Sequence, residues 1–557
     1  MSLNLPFPKP LLVLALLFTL LNACKPLCVD DTLYYYHAKH LSRDSLRPYG
    51  FQVFWLDRPG PSIEVLAPVM MPYWWAIAIR LFGERPFLWK LWMLPYVLLL
   101  VFSLHALLRR FASGHEMILT WMVVLSPVFL PSFNLMLDVP AAALILCSIA
   151  VFLRAAEQNS LPFSVLAGLI GGIAAQTKYN GLIAPAVMLL YAIIFKKMRL
   201  GLVAALISAG VFLLWEGFIV WRAGQSAFLA QSKTYGSVHL MAKYAYLAWP
   251  LVTIMGAVAP ALVMLALVAL RASRRIILAY AILAILAYLL LAFVPDRFQV
   301  LTRDVRTNEE RWTLAKLIFS SYGIVFLAIL GVSIARLTKL NKGIFRAIRR
   351  WRNFPNEWFL VGWLVIEIVV YFGLSPIPAV RRVLGLLVVS TLLVGRLSTR
   401  TARRSQTRSL VRKVAFAGIL LGLFFYAVDF NDAHTEKVAA EATAQQIKDM
   451  GMDAHSSWYV ARWGFQYYAE RAGMKPVLPD ESHFAPGDLL AISDGSYFPQ
   501  PVAEHINRYR IEPVKELVFQ DRLPLGTMLG FYSTGIPIHH HEGPRRTVRI
   551  YRITAKL

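Results

Sequence analysis

YAILAILAYLLLAFV, residues 280–294, decides the fold class. It carries no charge, no glycine or proline, and neither the two-residue alternation of a half-buried strand nor the polar stripe of a surface helix. Only hydrocarbon or a very deep core accepts such a run. Comparable blocks of about 15–25 apolar residues recur along the chain, separated by short basic loops. The 557 residues are 57% hydrophobic and 16% charged. Together these features define a polytopic α-helical membrane protein and exclude a string of soluble domains.

The net charge of +25 raises the question of nucleic acid, and its distribution answers it. Residues 431–557 hold 14 Lys/Arg against 15 Asp/Glu, so the excess, 43 basic against 17 acidic, lies in residues 1–430. There the basic residues sit in every second loop: Arg109 and Arg110, Lys196 to Arg199, Arg271 to Arg275, and then the stretches 336–352 and 396–413. Such alternation is the signature of cytoplasmic loops. The basic loops lack interleaved aromatics and are separated by spans, so no nucleic-acid partner is expected.

Thirteen spans are predicted, near 9–25, 88–108, 117–133, 139–156, 162–177, 181–195, 200–222, 247–270, 275–295, 312–335, 357–373, 383–396 and 414–430. With a cytoplasmic N-terminus in an inner (plasma) membrane, the loops holding Asp30, Asp138, Lys178, Arg297 and Arg381 face outward. Residues 1–430 thus form a transmembrane domain and residues 431–557 an extracytoplasmic one. The first outer loop, 26–87, is too long for a connector. Pro68 and Pro72 interrupt its apolar second half, which reads as interfacial helices with Trp74 and Trp75 at headgroup depth.

After residue 430 the pattern is that of an α/β domain. Strands are expected at 458–462, in GDLLAIS and at 547–553, and helices at 436–450, 465–473 and in PVAEHINRY. HHH at 539–541 reads as a solvated loop rather than a metal site, since no second ligand cluster stands at useful spacing. LNAC at 21–24 has the outline of a lipoprotein cleavage site with Asn22 as a poor fit. Cys24 and Cys28 are spaced to pair at an oxidising face.

The chemistry-bearing residues gather on the outer side. CVDDTLYYYHAKHL (28–41) brings Asp30 and Asp31, and WLDRPGPSIE (55–64) brings Asp57 and Arg58. FNLMLDVP (133–140) brings Asp138; QTKYNG (176–181) adds Lys178, Tyr179 and Asn180; SPIPAVRR (375–382) adds Arg381 and Arg382. Charges from separate loops on one membrane face suggest a site, because each costs free energy near lipid. The bland readings are that Lys178 and Arg382 snorkel to headgroups and that one aspartate caps the helix after it.

VDDTLYYYHAKHL followed by DRP, then LDVPAAALIL, then TKYNGLIAPAVMLLY, resembles the integral-membrane GT-C glycosyltransferases. The nearest branch is family 39, with the protein O-mannosyltransferases and the lipid A aminoarabinose transferases. The resemblance implies a sugar donor linked to polyprenyl phosphate and an envelope acceptor, whether lipid, glycan or protein. It implies Asp30 as the essential acid and Asp138 as a second acid. Asp31 stands where the family has Glu, and Arg58 where the aminoarabinose transferases have a phosphate-binding Lys. Physically, an acid pair in a poorly solvated site gives a base, and Arg58, Lys178, Tyr179, Arg381 and Arg382 would surround the leaving phosphate. No cofactor is required, although an acidic pair leaves a divalent cation open. The alternative, a transporter or flippase of lipid-linked or anionic substrates, predicts repeat symmetry between halves. None is visible.

Overall fold

The computed structural model describes residues 8–55, 57–66, 68–236, 240–303, 310–340, 353–401, 405–494, 499–520 and 523–557. Most of the basic stretch 336–352 and residues 402–404 of the second lie outside them. The chain is a multi-pass helical membrane protein with a sheet-containing C-terminal domain. Among the described residues, eight helices are long and apolar enough to cross a membrane: Pro86–Phe111, Asp138–Gln158, Met198–Ala223, Arg274–Phe293, Leu314–Thr338, Pro355–Leu374, Leu384–Thr401 and Arg408–Asp449. A ninth is a pair, Tyr246–Val258 and Pro260–Ala269, bent by 73°. Pro260 opens the second half, where its missing N–H and the restraint on the residue before it break the helix.

Each of the thirteen predicted segments contains helix, but four are shorter than a span. Lys9–Cys24, Leu161–Thr177 and Tyr179–Ile194 have 10–17 residues. Segment 117–133 is split into Glu116–Val124 and Phe129–Ser132, with Pro127 in the break. Such pieces survive by packing. Ser164 Oγ donates to Leu200 O at 2.6 Å and Ser208 Oγ to Gly168 O at 2.8 Å, tying Leu161–Thr177 to Met198–Ala223. Small residues and hydroxyls of this kind join helices in lipid.

The first loop forms two 13-residue helices, Asp31–Arg43 and Met70–Phe82, and a hairpin pairing Gln52–Phe54 with Pro59–Pro61. Neither helix can span. Trp75 is 2% exposed and donates to Met93 Sδ at 3.0 Å. Trp74, half-buried, stacks on Trp92 at 5.0 Å. Both rings pack against protein.

The helix of the last predicted span does not stop at residue 430. Ser405–Asp449 is one 45-residue helix that carries the chain into the C-terminal domain. There a five-stranded sheet runs in the order Lys475–Pro476, Ser457–Val460, Leu489–Ser493, Pro544–Lys556, Tyr509–Gln520. The first three strands are parallel and the last two pair antiparallel. Tyr509–Gln520 was not expected as a strand. It is an edge strand exposed along most of its length, so no buried alternation marks it.

Asp429, Asp432 and Glu436 lie on one face of the long helix and are almost wholly buried. Asp429 meets Lys25 at 2.7 Å, Asp432 meets Arg545 and Glu436 meets Arg546. Two of these pairs tie the long helix to the strand Pro544–Lys556, and the third ties it to Lys25 beside the first helix. His539 and His540 are half-buried in a short strand pair with Leu525–Gly526 rather than in a solvated loop. Cys24 is exposed, Cys28 buried, and both are free thiols.

Candidate active site

A cavity of about 420 Å³ opens where the first loop, the segment around residue 178 and the turn before Leu384–Thr401 meet. Asp30, Tyr34, Asp138, Lys178, Tyr179, Asn180, Arg381 and Arg382 all line it. Asp31 and Arg58 do not.

Local structure explains each position. Asp138 is the first residue of Asp138–Gln158, where unpaired amides and the helix dipole favour a carboxylate. Lys178 sits in extended backbone between Leu161–Thr177 and the short turn Tyr179–Leu182. That turn folds back closely: a Cβ on Gly181 would lie 2.2 Å from the carbonyl carbon of Ala174. Arg381 and Arg382 occupy a single 3-10 turn, Val380–Arg382, just before Leu384–Thr401.

The charges are distributed unevenly. Arg381 donates to Asp30 Oδ2 at 2.6 Å and stands 3.9 Å from Asp138 Oδ2. Lys178 donates to Asp138 Oδ1. Burial, reinforced by Arg382, lowers the Lys178 ammonium to about 7 against the opposing pull of Asp138. Arg382, also in the cavity wall, has no carboxylate within ion-pair distance among the described residues. Nearby, the Tyr179 hydroxyl and Asn180 Oδ1 are buried without a hydrogen-bond partner. A guanidinium without a carboxylate partner among the described residues, in a cavity wall, is suited to an anion.

Adjacent in sequence, Asp30 and Asp31 point to different places. Asp30 is the residue before Asp31–Arg43, yet its side chain makes no capping bond and goes to Arg381. Asp31 is fully buried, accepts from the Cys28 amide at 3.2 Å and lies 3.7 Å from Lys90 Nζ. Burial raises its carboxyl above the usual range, with Lys90 and Lys25 acting against that shift. Val29, just before the pair, is held at φ 46°, a strained conformation for a β-branched residue.

Arg58 reaches the C-terminal domain instead of the cavity. Its guanidinium is 60% exposed and donates to Asp480 at 2.6 Å, where Arg508 also binds at 3.1 Å. Sequence reasoning passed over Lys25, Lys90, Asp429 and Tyr532, which are buried but do not line the cavity. Tyr532 donates to Pro131 O at 3.0 Å, and its ring lies 6.0 Å from the Arg381 guanidinium. The signal available in the sequence was Lys25 at the end of an apolar run; its partner stands 404 positions away.

No family model matches the chain, and no curated protein matches it. Among solved structures, it is similar to the Archaeoglobus fulgidus oligosaccharyltransferase tethered with an acceptor peptide, at 14% identity and TM-score 0.46, covering 84% of this chain and 63% of that one. It is also similar to ArnT from Cupriavidus metallidurans bound to undecaprenyl phosphate, at 13% identity and TM-score 0.44, covering 97% of both chains. The chain thus spans about 63% of the length of that oligosaccharyltransferase.

Proposed function

We propose that this chain is a GT-C-type glycosyltransferase that moves a sugar from a polyprenyl-phosphate donor to an acceptor hydroxyl at the outer face of the inner (plasma) membrane. The observation that carries the reading is the cavity in which Arg382 lacks a carboxylate while Asp30 and Asp138 stand beside Arg381 and Lys178. A phosphodiester supplies the missing negative charge, and the carboxylates supply a base.

In the proposed step the acceptor oxygen attacks the anomeric carbon and its proton passes to Asp30 Oδ1, for which the described residues provide no partner. The bond from anomeric carbon to phosphate oxygen breaks. Its electron pair leaves with the polyprenyl phosphate, whose growing charge meets Arg382, Lys178 and Arg381. A single displacement inverts the anomeric centre. Arg58 enters this scheme only if its pair with Asp480 opens. The acceptor is an envelope lipid, glycan or protein, and the scheme draws on no metal.

The test uses purified protein in lipid vesicles, a radiolabelled polyprenyl-phosphate sugar and an envelope acceptor fraction. Label should move to the acceptor, and Arg382→Ala should lower the rate by about 100-fold, the loss typical of a single electrostatic group at a developing charge. Intact donor crossing the vesicle without cleavage would sink the reading in favour of transport.

A further inference from the structure

Glu367 lies on the membrane-spanning helix Pro355–Leu374, two turns before its outer end, and lines the same cavity. The residue is 7% exposed. Trp363 Nε1 donates to its Oε1 at 3.0 Å. Oε2 has no hydrogen bond or ion pair among the described residues, and no lysine or arginine stands within ion-pair distance. An unpaired carboxylate at this depth costs several kcal/mol by the usual measure of intramembrane charge.

The surrounding fold is shaped to keep it. Gly385, on Leu384–Thr401, faces the carboxylate so closely that a Cβ there would lie 2.2 Å from Oε2 and 2.5 Å from Oε1. Any other residue at 385 displaces the carboxylate. Gly385 is three residues beyond Arg382, so the glycine that receives Glu367 and the unpaired arginine belong to one stretch of the cavity wall. One cavity therefore has a cationic region and, apart from it, a carboxyl oxygen with no hydrogen-bond partner among the described residues.

We propose that Glu367 forms the sugar subsite, with Oε2 accepting hydrogen bonds from hydroxyl groups of a neutral donor sugar while Arg382 and its neighbours hold the phosphate. This rests on the glycosyltransferase reading and adds the orientation of the donor: phosphate towards residues 178 and 381–382, sugar towards residue 367. The reverse orientation would take the phosphodiester away from Lys178, Arg381 and Arg382 to a carboxyl with no cation beside it among the described residues.

Binding to the detergent-purified full chain separates the two readings. The probes are bare undecaprenyl phosphate and undecaprenyl phosphates carrying glucose, mannose, galactose or arabinose, in wild type, Glu367→Gln and Gly385→Ala. Wild type should bind the bare lipid and bind its preferred sugar-bearing lipid more tightly. Both variants should weaken that sugar-bearing lipid by about tenfold, the equivalent of one hydrogen bond to a charged group. They should leave the bare lipid within about twofold. Equal weakening of both lipids overturns the proposal, because Glu367 would then shape the cavity as a whole. No change in either lipid also overturns it and leaves the carboxylate as the partner of Trp363 alone. Failure of the wild type to bind the bare lipid removes the glycosyltransferase reading itself.

Discussion

Asp30 and Asp31 show how far one residue step changes a role. Asp30 faces the cavity with Arg381, whereas Asp31 turns into the protein to Cys28 and Lys90. Asp30→Asn should give a folded, membrane-inserted protein with transfer at background. Asp31→Asn should keep its chemistry but lose stability by about 3 kcal/mol, because Lys90 is left buried without its counter-charge. Thermal unfolding alongside the transfer assay distinguishes them, and a stable, inactive Asp31→Asn would reverse the two assignments. Lys178 makes a second prediction. Its ammonium, lowered to about 7 by burial and by Arg382, is charged below that pH and neutral above it. Donor binding should therefore weaken as pH rises through 7, and Lys178→Arg should flatten the dependence because a guanidinium stays charged. A wild-type profile with no change between pH 6 and 8 would remove Lys178 from the phosphate site.

At the scale of elements, the long helix Ser405–Asp449 ties bundle to domain through Asp429, Asp432 and Glu436. Asp432 also accepts from the amides of Thr527 and Met528, at 2.7 and 3.0 Å, so it fixes the start of the short helix Met528–Ser533 that carries Tyr532. Asp432→Ala should leave the Thr527 and Met528 amides without their acceptor, at a cost of about 1–3 kcal/mol. Limited proteolysis should then cut residues 523–545 faster than in wild type while the preceding spans stay protected. Unchanged cleavage would mean that the apolar contacts alone hold the domain.

For the whole molecule, the proposed donor depends on the sidedness proposed from the alternation of basic loops. In a cysteine-free background, Lys413→Cys should react with an impermeant thiol reagent only after the inner face is opened. Glu504→Cys, exposed in the C-terminal domain, should react in intact spheroplasts. The opposite pattern would put the cavity in the cytoplasm and remove the rationale for a lipid-linked donor.

Apolar run length and loop charge were enough to determine the membrane class and the positions of the helices, because both follow from local composition against a hydrocarbon solvent. Three strands of the terminal domain were legible for a related reason: Leu489–Ser493, for one, is buried along nearly its whole length. Tyr509–Gln520 was not, since an edge strand carries little such pattern. Asp30, Asp138, Lys178, Tyr179, Arg381 and Arg382 could be listed from the sequence, and the tertiary structure brought them to one cavity. Only the tertiary structure separated Asp30 from Asp31, paired Arg58 with Asp480, joined Lys25 to Asp429 and left Glu367 facing Gly385. Which charge meets which depends on packing between segments hundreds of residues apart, and a residue's own neighbours in the chain do not encode that distance.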